Sequence, residues 1–219
     1  MSWFGIIIIG MLLFFIAQQV WQRSNLRQRK LVIDNYTFPR TLQVRLQERY
    51  PHLQKQDIDD ILQGLKVYFH LCNKAGKRRM VSMPSQAVDV AWHEFILFTR
   101  QYQQFCQQAL GRFLHHVPAE AMKTPTQAQD GIKVAWRLSC QRERIDPLKP
   151  TQLPLLFLLD MRLGIPDGFQ YSLNCMGNQR GEYCASHIGC GGSGCGGGGD
   201  SSDAGGDSGC GGGCGGGGD

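Results

Sequence analysis

The sequence predicts an all-α protein with a single transmembrane helix at its N-terminus, a compact helical domain and a disordered Gly/Cys-rich tail. Three observations carry that prediction. Apolar side chains through the middle of the chain recur at helical spacing, and no stretch alternates cleanly at period two. The first twenty residues are almost wholly apolar, and from about Gly189 onward the chain is mostly Gly with Ser, Asp and Cys. The expected layout is therefore an anchor over 3–21, a basic juxtamembrane linker over 22–37, a helical domain over 38–175 and a tail over 176–219.

The run WFGIIIIGMLLFFIAQQV, Trp3 to Val20, carries no charge, and with Trp21 it reaches about the length of a membrane-crossing helix. Trp3 and Trp21 fall where indoles favour the two interfaces. A cleaved secretory signal would need a basic start and a small-residue cleavage site, and neither is present. No Lys or Arg precedes the run, whereas Arg23, Arg27, Arg29 and Lys30 follow it. The positive-inside rule then places the N-terminus outside an inner membrane and the domain and tail in the cytoplasm. The bilayer is the expected partner through 3–21, with anionic headgroups near 23–30. No protein partner is legible.

The formal net charge of +5 is concentrated near the anchor, and no Lys or Arg follows Arg180. This is not the sustained basic face of a dedicated nucleic-acid binder. In a reducing compartment the nine cysteines read as thiols, metal ligands or core residues rather than disulfides, and the odd count agrees.

In chain order, Leu42, Val44 and Leu46 predict a short helix over Thr41–Tyr50, stopped by Pro51. Ile58, Ile61, Leu62, Leu65, Tyr68 and Leu71 predict a second from Asp57 to Cys72. His70 and Cys72 at its end read as structural. Ser85 is the expected N-cap of a third helix. Its stripe (Val88, Trp92, Phe95, Phe98, Tyr102, Phe105, Cys106, Ala109, Leu110) runs to a left-handed stop at Gly111. Helix resumes over Ala128–Cys140, and the apolar run Leu153–Ile165 predicts a buried helix, with Phe169 to Tyr171 closing the fold.

Val88 to Pro118 collects the chemically capable side chains. Asp89 and His93, four apart on one helix, can meet on one face, and a carboxylate there would orient the imidazole. A site drawn from His93, Cys106 and His115 or His116, with Asp89 behind His93, suits Zn²⁺ or another transition metal. The zincin pattern H-E-x-x-H fails because Leu97 stands where its second His would be. A second cluster, Cys184, His187, Cys190 and Cys195, could wrap a soft metal in the tail. No G-x-S-x-G, P-loop or dinucleotide fingerprint is present. The expectation is a binding or scaffolding module, not an enzyme; the alternative is a metal-binding protein or metal-dependent enzyme built on the His93/Cys106/His115–His116 cluster.

The run V-D-V-A-W-H-E-F, with Tyr102, Cys106, Gly111 and His115-His116-x-Pro118, resembles the glycine-rich domain-containing proteins. Asp89, Trp92, His93, Tyr102, Cys106, Gly111 and His116 occupy the matching positions, and the Gly-rich end echoes the name. Those proteins often carry Trp-His-x-His, and Phe95 stands in place of the last His here. The resemblance implies a helical domain without an established catalytic activity.

Overall fold

The computed structural model describes residues 3–77, 79–117 and 125–173, with 183–185 and 188; side chains are described from residue 11, except at 21–23 and 125–128 and in the 183–184 strand. Seven α-helices and one π turn make up nearly all of this structure. The helices are α1 (Trp3–Asn35), α2 (Arg40–Arg49), α3 (Lys55–Ala75), α4 (Gln86–Ile96), α5 (Thr99–Phe105), α6 (Pro125–Glu143) and α7 (Leu155–Leu163). The π turn spans Cys106–Leu110. Two two-residue strands, β1 (Tyr171–Ser172) and β2 (Tyr183–Cys184), pair in parallel with Tyr171 opposite Tyr183. Strands this short cannot show an alternating pattern in sequence.

The centre of the fold is α3, which touches α1, α2, α4, α6, α7 and the π turn. Its apolar residues occur nearly all round, and Ile61, Leu65 and Phe69 are fully buried. Each such side chain contributes about 1.5–3 kcal/mol when buried. Gly64 lets α4 come close, because a Cβ there would lie 2.9 Å from Val88 Cγ2. Tyr36, Phe38, Phe69, Phe95 and Phe105 form an aromatic cluster with edge-on and tilted contacts of 4.7–6.3 Å between ring centroids. Tyr171 closes the far side against Phe157 at 4.8 Å.

The stretch 22–37 was expected as a linker, but most of it continues α1, and its last residues enter the core. Ile33 is fully buried and Phe38 nearly so. Lys66 Nζ donates to the Asp34 carbonyl at 2.8 Å, and His70 Nε2 lies 2.7 Å from Asp34 Oδ1. His70 and Cys72 are both buried on α3, where burial lowers the His70 pKa and pushes the Cys72 thiol up to about 12. Among the described residues, no helix is long and apolar enough to cross a membrane. Of the apolar run, only residues 11–20 have described side chains.

The helix predicted from Ser85 to Gly111 is broken twice. Phe95, Ile96, Leu97 and Phe98 are consecutive and cannot all face one side of a straight helix. The chain therefore turns at Leu97 and Phe98, burying Phe95 and leaving Leu97 62% exposed. The π turn follows, with Cys106, Ala109 and Leu110 all inward. Gly111 then takes the left-handed conformation (φ 64°), and a Cβ there would also strike the Arg29 guanidinium. Both predicted ends hold: Ser85 Oγ accepts from Val88 N at 3.3 Å, and Gly111 stops the helical run.

Candidate metal centre

The site is assembled from the first two turns of α4 and the segment that returns after Gly111. Asp160 fixes the start of α4. This carboxylate, 2% exposed on α7, accepts from Ser85 Oγ (2.6 Å), Gln86 N (2.6 Å), Ala87 N (3.2 Å) and Phe169 N (2.9 Å). A negative charge against the free N–H groups of a helix start is favourable, and here it lies out of water. The sequence signal is the single Asp inside the apolar run LPLLFLLDMRLGI.

A buried brace holds the return segment. Trp92 Nε1 donates to the Tyr102 hydroxyl at 3.0 Å, and that hydroxyl donates to the Leu114 carbonyl at 2.5 Å. The brace ties α4 and α5 to residue 114, two positions before His116. The Trp92 ring then meets the edge of the His116 imidazole, with centroids 4.7 Å apart.

Asp89 consequently sits between two histidines. His93 Nδ1 lies 2.9 Å from the Asp89 carbonyl oxygen and 3.2 Å from Oδ2, and His116 Nε2 lies 3.3 Å from Oδ1. The two imidazole rings are 4.0 Å apart, centroid to centroid. One donor atom from each of Asp89, His93 and His116 falls within 4.8 Å of the others. Asp89 and His116 are half-buried and His93 is exposed, so the cluster opens to solvent on one side. The hydrogen bond that the Asp89 carboxylate accepts from His93 holds the His93 pKa above the ordinary imidazole range, against a smaller opposing effect of burial.

Of the predicted ligands, His93 and His116 come together with Asp89; Cys106 and His115 do not join them. Cys106 is fully buried, engaged with Tyr102 and the Leu114 backbone, and burial raises its thiol pKa. It lies on the core side of the π turn, away from water. His115 is exposed and packs against the Phe113 ring at 4.7 Å, because neighbouring residues in an extended segment point to opposite sides. The Cys184 side chain, His187, Cys190 and Cys195 lie outside the described residues.

A carboxylate and two imidazoles within this span form a donor set suited to a borderline divalent metal, with further coordination positions left to solvent. In the structure both imidazoles lie within hydrogen-bonding distance of Asp89.

No curated protein and no solved structure matches the chain. The profile of the UCP032817-like family matches residues 28–191. That span starts beyond the apolar run and takes in the Asp89/His93/His116 cluster, and since it covers most of the sequence, the chain belongs to the UCP032817-like family.

Proposed function

We propose that this protein is a membrane-anchored metal-binding module in which Asp89, His93 and His116 hold a divalent transition metal, Zn²⁺ foremost. The observation that carries the reading is the convergence of three donor groups from two separate segments onto one partly open spot. A buried brace and a buried cap hold that spot in place, as a preorganised ligand set requires. The residues that carry the resemblance to glycine-rich domain-containing proteins include all three donors and both ends of the Trp92–Tyr102 brace.

The anchor rests on the apolar run. Met11, Leu12, Leu13, Phe14 and Phe15 are each 58–67% exposed on the described part of α1, so this part of the helix is apolar all round and no described residue covers it. A helix of that kind is stable in lipid. With the basic residues after it, the domain and tail face the cytoplasm.

The test is calorimetric titration of the detergent-purified chain with Zn²⁺, with Cys184, Cys190, Cys195, Cys210 and Cys214 changed to Ser. One ion per chain is expected, and His93→Ala should abolish the binding. A folded chain that takes up no Zn²⁺, Fe²⁺ or Mn²⁺ would overturn the metal assignment.

A further inference from the structure

Three basic segments distant in sequence meet where α1 enters the domain. Arg29 on α1 lies over Gly111 at the end of the π turn, close enough that no Cβ fits between them. The next residue, Arg112, donates from Nη2 to the Gly76 carbonyl at 3.0 Å, which ties this turn to the loop after α3. That loop carries Lys77 and Arg79, both exposed. Arg27 and Lys30 add exposed charge on the same stretch of α1. Elsewhere in the domain Arg45 pairs with Glu94, Arg162 with Asp60 and Lys133 with Asp130. None of the basic residues at this junction pairs with a carboxylate among the described residues. An unneutralised group of like charges costs the fold self-repulsion unless something outside balances it.

We infer that this composite face, Arg29 and Lys30 with Lys77, Arg79 and Arg112, seats the domain directly on an anionic bilayer surface. The inference rests on the anchor proposed above and extends it from a flanking peptide to a folded surface. Charge complementarity and position both favour a bilayer. Helix α1 runs unbroken from the apolar segment into this face, and eight residues from Trp21 to Arg29 rise about 12 Å. The face therefore stands just past the headgroup layer, at about the screening length of roughly 8–10 Å in physiological salt. Because α1 is docked on the core through Ile33 and Asp34, the domain is held at that height instead of swinging on a linker. An RNA would be drawn by the same charge, but it would not account for the apolar continuation of α1.

The full chain is reconstituted in nanodiscs of phosphatidylcholine alone and of phosphatidylcholine mixed with phosphatidylglycerol. Amide hydrogen exchange is then followed in peptides covering Lys74–Lys77 and Gly111–Phe113. Several-fold slower exchange is expected in the anionic discs only, reversed by high salt. It should be absent in Lys77→Glu/Arg79→Glu, two exposed positions whose thermal unfolding should stay as in wild type. Equal exchange in both discs would overturn the inference while leaving the anchor intact, as would shielding by an oligonucleotide but not by anionic lipid. A chain that enters neither kind of disc would overturn the anchor and this inference together.

Discussion

Asp160 and Asp89 are both carboxylates that gather donors from separate parts of the chain, and they end in opposite circumstances. Asp160 is buried and takes four hydrogen bonds, three of them from backbone N–H groups that cannot move without unwinding α4 or displacing Phe169. Its partners are permanent, and the cluster is closed. Asp89 is half-buried and, among the described side chains, faces two imidazoles at 3.2–3.3 Å. Its partners are exchangeable, and the cluster opens to water. The same side chain thus fastens a helix in one place and forms a ligand set in the other. What differs is the chemistry of the donors and their access to solvent.

The comparison is most severely tested at the closed cluster. Asp160→Ala leaves several buried donors unsatisfied and should cost about 3 kcal/mol in denaturant unfolding, with metal affinity falling only as α4 loosens. Asp89→Ala should cost far less stability and remove metal binding outright. If the two variants lose equal stability, the contrast fails.

The brace comes next. Tyr102→Phe keeps the ring but releases the Leu114 carbonyl and the Trp92 N–H, so His116 loses its fixed approach to Asp89. Supporting groups of this sort are worth about 10–100-fold in affinity, and the lower end is expected in a Zn²⁺ titration at constant pH. An unchanged affinity would mean that His116 is placed by something else.

The sequence showed the fold at the level of helices and showed half of the site. α2, α3 and α7 follow from their apolar spacing, and the ends at Ser85 and Gly111 follow from cap chemistry. The breaks at Leu97–Phe98 and at the π turn were hidden, because the apolar stripe continues across them and helical periodicity barely changes at a single turn. Asp89 and His93 were legible as an i, i+4 pair. Choosing between His115 and His116 needed the extended path after Gly111. Cys106 belonged to the apolar stripe in the sequence as well as to the candidate ligands, and its full burial beside Tyr102 is what separates it from the site. The role of Asp160 was not legible, because its partners at the start of α4, the Ser85 hydroxyl and two backbone N–H groups, lie 73–75 residues away and leave no local pattern.

Acidity gives a smaller effect with a definite sign. The His93 pKa is raised, so the protonated pair with Asp89 stabilises the metal-free chain below the ordinary imidazole value of 6.5. That contribution fades as the pH climbs through the raised folded value. His93 is exposed, so the stability change itself is modest. A metal must displace the same proton, so affinity should rise with pH across this window, by at most about tenfold per unit, and flatten above it. Affinity that is flat from pH 6 to 8 would remove His93 from the ligand set. Smallest of all, Cys106→Ala should leave metal binding where it is and show only the stability cost of a small buried cavity.

The most direct test of the metal centre is cobalt spectroscopy. Co²⁺ substitutes for Zn²⁺ and reports its ligands by colour. The account predicts that one equivalent of Co²⁺ bound to the wild-type chain gives ligand-field bands without a thiolate charge-transfer band, and that His116→Ala loses them. A strong thiolate band that persists in His116→Ala would place the metal on cysteines and contradict the assignment to Asp89, His93 and His116.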